Sequence, residues 1–163
     1  MLWDSSSGNT NGLYCRRKLN YLSTANSSTF NSGPITVIGT GNTPRSVVES
    51  TTPRHFFYDA PLATLNTTAN ANITRLISPI ASTNFVASLG DVKSSTGMNA
   101  TQIQALNSQV KVAGDRGILT RYWNQPSFPI STRNQIWRQL TEAGVGLLNV
   151  DDLKSGSGLG YDW

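Results

Sequence analysis

Cysteine is nearly missing from this chain. Cys15 stands alone among 163 residues, so neither a disulfide framework nor a cysteine metal site can form within it. Histidine is as scarce, with His55 the single example. A lone histidine at the start of a strand-like run reads as a surface or hydrogen-bonded residue rather than a catalyst. Charge is thin too: only 13% of residues are Asp, Glu, Lys or Arg, and the formal net charge of +4 comes from scattered basic side chains. Arg16, Arg17 and Lys18 make the one basic cluster, which reads as a solvated helix face, so no nucleic-acid partner is expected. No apolar run approaches the ~18 residues that a membrane span needs. The opening MLWDSSSGNTNG has neither the basic start nor the apolar core of a signal peptide.

Ser, Thr and Asn make up the polar surface instead. Asn26, Asn66, Asn72 and Asn99 each begin an N-x-S/T motif, about as many as chance gives in such a composition, and they lean only slightly toward a secretory route. At 163 residues the chain reads as one domain, long enough for a sizeable core.

The most legible stretch runs from Gly117 to Leu153. Ile118, Leu119, Tyr122 and Trp123 form a β-prone run that stops at Gln125-Pro126. A helix follows Pro129, with Ser131 or Thr132 as its expected N-cap. Ile136, Leu140 and Ala143 fall on one buried face at spacings of three and four. Gly144 suits the left-handed position past the helix end. Val145, Leu147, Leu148 and Val150 then read as a strand covered on both faces. Strand, helix and strand make a βαβ unit with parallel strands.

The remainder alternates in the same way. A helix is expected from about Leu13 to Leu22, and a turn-rich loop over 23–33. Ile35, Val37 and Ile38 read as a buried strand closed by Gly39-Thr40-Gly41-Asn42, before a helix over 43–50. RHFFYDAPL, 54–62, reads as the next strand, with Phe57 opposite Phe56 and Tyr58 and both faces covered. A polar loop with one helical turn is expected over 63–83, and a strand over 84–89. A helix over 98–113 opens on a capping box of Asn99 and Gln102 and turns through Asp115-Arg116-Gly117 into the strand at 118. Five strand candidates alternating with helices give a parallel α/β class.

Polar residues at the carboxyl ends of parallel strands mark where such folds keep their chemistry. Here they are Asp59, Arg121, Trp123, Asn149 and Asp151. Each has a bland alternative: Asp59 can accept from turn amides ahead of Pro61, and Asp151 can cap a turn and pair with Arg121. Tyr122 fits core packing as well as an aromatic pocket wall. Gly39, Gly41 and Asn42 let backbone amides approach a phosphate, or simply redirect the chain. A glycosidase would need paired carboxylates, but Asp151 and Asp152 point to opposite faces if they lie on a strand.

Several of these segments carry a resemblance. TRYWNQPSFPISTRNQIWRQL at 120–140, GVGLLNVDDL at 144–153, GPITVIGTGNTP at 33–44, FFYDAPL at 56–62 and TNFVASL at 83–89 resemble the fungal altered inheritance of mitochondria protein 6 family. That family belongs to the phosphatidylinositol-specific phospholipase C-like phosphodiesterases. The resemblance implies the C-terminal half of a (β/α)8 TIM barrel, with about five parallel strands alternating with helices. Residues 1–163 would then be a single partial domain lacking its N-terminal half, since a whole barrel needs ~250 residues, or about 200 at the least.

By the same resemblance the complete protein is a phosphoric diester hydrolase of lipid metabolism. It takes a phosphodiester or lipid-headgroup substrate through general acid/base residues, and one branch adds a divalent metal. Those groups lie on the family's first strands. No catalytic residue is carried over, no cofactor is expected in this chain, and the isolated chain is expected to be inactive. The five strand-end residues would line the substrate side of the pocket. The other reading is a non-catalytic half-barrel module that associates with another chain through its exposed strand edges.

Overall fold

A computed structural model describes residues 21–157. The helix expected over 13–22 falls almost wholly outside them, with Cys15 and the Arg16–Lys18 cluster; its last residue, Leu22, forms a parallel β-bridge with Ile35. The chain divides into two compact units with the boundary between Tyr58 and Asp59, inside a strand.

In the first unit, β1 (Thr24–Ala25) and β2 (Phe30–Asn31) pair antiparallel. This small hairpin stands where a loop was expected. Asn26 closes its turn: Oδ1 accepts from the amides of Ser28 at 2.8 Å and Thr29 at 2.7 Å, so one side chain does the work of backbone partners. Strand β3 is only Ile38–Gly39. Ile35 and Val37 are 53% and 42% exposed, against the expectation of a buried strand, because β3 lies at the edge of its sheet. Helix α1 spans Arg45–Ser50 and follows Pro44, later than the expected Thr43. Phe57, at the start of β4 (Phe57–Pro61), is fully buried 5.3 Å from Phe30, while Phe56 and Tyr58 are half-buried.

The second unit carries β4 onward from Asp59, then β5 (Ile80–Asn84), β6 (Leu119–Trp123) and β7 (Leu147–Leu148). Its helices are α2 (Phe85–Leu89), α3 (Ala100–Gly114), α4 (Ile130–Glu142) and α5 (Leu153–Gly156). Five strands pair in chain order, β3-β4-β5-β6-β7, and every neighbouring pair is parallel. The fold is α/β, as the alternation in the sequence implied, and it matches part of a TIM-barrel-like arrangement. Among the described residues the sheet is open, with β3 and β7 as its edges.

Sheet register decides what is buried. Side chains alternate across a strand, so Ala60, Ala81, Thr120 and Tyr122 share one face, and all four are buried. Helix α3 packs there through Leu106 and Ala113. Tyr122 is core: its ring meets Phe85 edge-on at 6.4 Å, and its hydroxyl donates to Gln109 Oε1 at 2.8 Å. The capping box at Asn99 and Gln102 forms as expected, and Gly117 and Gly144 take positive φ at their turns.

Three expectations fail in this unit. The strand placed at 84–89 is α2, preceded by β5 within the supposed loop over 63–83, where 3₁₀ turns at Leu62–Thr64 and Thr68–Asn70 also stand. The cause is Asn84, whose side chain accepts from the Ala87 amide and caps a helix that buries Phe85 and Leu89 four apart. Strand β7 is two residues long and not covered on both faces. Among the described residues it pairs only with β6, and Leu147 is 39% exposed. Helix α4 begins at Ile130 with Pro129 as N-cap and no side-chain cap. Thr132, one of the expected caps, is buried and instead donates to the Ser94 carbonyl at 3.2 Å.

Candidate functional site

The uncovered face of the second unit's sheet carries a row of polar side chains. Pro61, Ser82, Arg121 and Leu147 stand opposite one another across β4, β5, β6 and β7. Asp59 precedes Pro61 by two residues and so shares its face. The Arg121 guanidinium donates to Asn149 Oδ1 at 2.5 Å, tying β6 to the segment after β7. Leu119 and Trp123, two positions either side of Arg121, are 51% and 43% exposed.

Asp59 is the most perturbed group in the row. Burial raises its carboxyl above the ordinary value of 3.8; the nearby Ser82 hydroxyl and amide and the Arg121 guanidinium act the other way. Asp59 Oδ1 and Ser82 Oγ are buried side by side, and among the described residues neither makes a hydrogen bond of normal geometry, which is costly unless something else satisfies them.

Asn149 leads to a second feature, a cleft of about 400 Å³ at the carboxyl ends of β6 and β7. Asn124, Gln125, Arg133, Trp137, Asn149 and Asp151 are among its lining. Gln125 braces the wall: Nε2 donates to the Tyr122 carbonyl at 2.9 Å, and Oε1 accepts from Trp137 Nε1 at 2.8 Å. The Arg133 guanidinium lies 4.5 Å over the Trp137 ring, with its Nη1 3.7 Å from Asp152 Oδ2. Asp152 caps α5, accepting from the Ser155 amide at 3.1 Å and from the Ser155 hydroxyl. These bonds hold its carboxyl below the ordinary range. Asn124 adopts a positive φ of 59° where the chain leaves β6, a conformation asparagine tolerates better than most residues.

Asp59 and Arg121 thus share the sheet face, Asn149 joins that face to the cleft, and Asp151 is at the cleft. Trp123 belongs to the face rather than the cleft lining. Asp152, not Asp151, caps the following helix, and Arg121 pairs with Asn149 rather than with Asp151. Gly39, Gly41 and Asn42 are in the first unit. Gly41 has a φ of 64°, and the Thr43 hydroxyl donates to the Thr40 carbonyl at 3.0 Å: this is a tight turn ahead of a helix only six residues long. The sequence reading missed Ser82, Gln125, Arg133 and Trp137. Arg133 and Trp137 stand four apart on α4, a spacing visible in the sequence but overshadowed there by the apolar stripe of Ile136 and Leu140.

Among the described residues, no three His, Cys, Asp or Glu side chains converge to hold an ion. No helix among them is long and apolar enough to cross a membrane.

Comparison with known proteins bears on this arrangement. An AIM6-like phosphodiesterase domain matches residues 7–59. An altered inheritance of mitochondria protein 6 homolog from Arthroderma benhamiae is 46% identical over 145 residues, 87% of this chain and 45% of that protein. The altered inheritance of mitochondria protein 6 of Eremothecium gossypii is 33% identical over 132 residues, covering 76% of this chain and 34% of its own length. That of Lachancea thermotolerans is 29% identical, covering 74% and 32%. The chain therefore spans less than half the length of these curated relatives. No solved structure matches it.

Proposed function

We propose that this chain, a relative of the fungal altered inheritance of mitochondria protein 6 proteins, is the C-terminal half of a phosphoric diester hydrolase of lipid metabolism and supplies the substrate side of its pocket. Arg121 is the observation that carries the reading. Its guanidinium is fixed by Asn149 on an open sheet face that also holds Asp59 and Ser82. A planar guanidinium held in place is suited to the oxygens of a phosphate ester through charge-assisted hydrogen bonds. Ser82 Oγ, buried next to Asp59, gives a neutral donor beside it. Asn149 and Asp151 extend the polar surface into the cleft, where substrate hydroxyls would bind.

Cleavage needs more than this. Phosphodiester hydrolysis calls for a proton acceptor and a proton donor on opposite sides of the phosphorus. Asp59 is a candidate for one of these two roles. The acid/base pair would come from strands outside this chain, so the isolated 163-residue protein binds phosphate esters without turning them over. A phosphodiester assay on that product tests the claim: no turnover is expected, and a rate comparable to a full-length relative would overturn it.

The half-barrel module is the second reading, favoured by Leu119, Trp123 and Leu147, which stay 39–51% exposed on the same face. Apolar surface of that kind and open strand edges both favour association. Size-exclusion chromatography separates the two: a dimer or larger species supports the module, and a compact monomer counts against it.

A further inference from the structure

Four asparagines begin an N-x-S/T acceptor motif, and the structure separates them by what their side chains already do. Asn26 Oδ1 accepts the Ser28 and Thr29 amides in the first hairpin. Asn99 Oδ1 accepts the Gln102 amide in the capping box of α3. A local bond accounts for asparagine at both places. At Asn72 the motif runs through Ile73, which is fully buried. Asn66 differs. It stands between the 3₁₀ turns at Leu62–Thr64 and Thr68–Asn70, and Asn66, Thr67 and Thr68 are all exposed. Its carboxamide makes no hydrogen bond among the described residues. Composition alone gives about this many motifs, so the motif by itself decides nothing; its surroundings do. Asn66 lines a groove of about 180 Å³, into which Leu62, Ala105 and Val112 bring apolar surface and Ser108 a hydroxyl.

We propose that Asn66 is an N-glycosylation site and that the first N-acetylglucosamine of its glycan packs into this groove. Transfer joins Asn66 Nδ2 to C1 of that sugar in a lipid-linked diphosphate oligosaccharide. The N–C1 bond forms as the C1–O bond to the diphosphate breaks, the lipid diphosphate leaves, and the amide proton passes to the transferase. The linked sugar carries C–H groups on its ring faces and an acetamido group next to the linkage. A groove with apolar walls and a single uncommitted polar partner matches that chemistry. The ring rests on Leu62, Ala105 and Val112, and the Ser108 hydroxyl, which makes no hydrogen bond among the described residues, meets the acetamido group. Gln109 also lines the groove, and it bonds the Tyr122 hydroxyl. The groove is therefore on the helix-covered side of the sheet, opposite the row of Asp59 and Arg121. A glycan there leaves that row open, so the site stands apart from the hydrolase reading.

The 163-residue chain, sent through the secretory pathway of a yeast host behind a cleavable leader, tests the site. After trimming with endoglycosidase H, peptide mass mapping should find a single N-acetylglucosamine on Asn66. The trimmed protein should melt about 2–4 °C above Asn66→Gln from the same host, the shift expected when a group of this size packs on a chain of this length. Ala105→Gln fills the groove from α3. It should keep the sugar on Asn66 and abolish the melting difference that Asn66→Gln makes. Far-UV circular dichroism like the parent's establishes that the variants are folded. A direct reading needs no variant: nuclear Overhauser contacts from the sugar ring protons to the Val112 methyls are expected in the trimmed protein. A bare Asn66, equal melting with and without the sugar, a difference that survives Ala105→Gln, or no contact between the sugar and Val112 would each overturn the proposal.

Discussion

Asp59 and Asp152 respond to their surroundings in opposite ways. Burial holds the Asp59 carboxyl above 3.8, so the folded state binds its proton more tightly than the unfolded chain does. That contribution to stability is fully present below the unfolded value and is lost as pH rises through the raised folded value. At neutral pH the ionised carboxylate is a net burden. Asp59→Asn is therefore expected to raise the denaturant midpoint at pH 7, with the gain disappearing as pH falls below about 4. Urea unfolding at the two pH values checks the sign, and an equal gain at both would remove burial of the charge as the cause. Asp152 is the contrast: its exposed carboxyl is lowered by its bonds to Ser155, so it favours the folded state above its ordinary value and loses that effect on acidification.

Elements were legible in the sequence where one physical signal had no rival. Helix α3 was, because Asn99 and Gln102 satisfy each other's backbone amides and Leu106 follows on the buried side. Asn99→Ala should lower stability by about 1 kcal/mol, read as a shift in denaturant midpoint with an unchanged slope. The β6-α4-β7 unit was legible for the same reason, and Leu140→Ala, at a fully buried position, should destabilise by about 2–5 kcal/mol. Segment 84–89 reads as a strand because Phe85 and Val86 are β-prone, while the decisive signal is one side chain, the Asn84 cap. Strands β3 and β7 were read as buried because hydropathy reports an apolar run but not whether a neighbouring strand lies beside it. Both are edges, and Val37 and Leu147 remain in water. The hairpin at Asn26 was lost among Ser, Thr and Asn residues whose turns all look alike before a partner strand is known.

At the scale of the whole molecule, parallel order and strand-end polarity were readable, and the row itself was only half so. Asp59 and Arg121 could be named from their places after β-prone runs. Ser82 could not, because the polar stretch that holds its strand reads as a loop. Arg133 and Trp137 stack on one helix face, but that this face borders the cleft follows from packing against the ends of β6 and β7. What organises these residues is the register of four parallel strands, which brings Pro61, Ser82, Arg121 and Leu147 level and sets Asp59 and Asn149 on either flank. The central claim is that this row receives a phosphate ester at Arg121. The most direct measurement is an NMR titration of the 163-residue chain with glycerophosphoinositol or inorganic phosphate, repeated on Arg121→Gln. Saturable shifts at β6 and at Asn149, weakened about tenfold or more in the variant, are the result expected. Shifts that ignore the substitution, or that gather elsewhere on the protein, would contradict it.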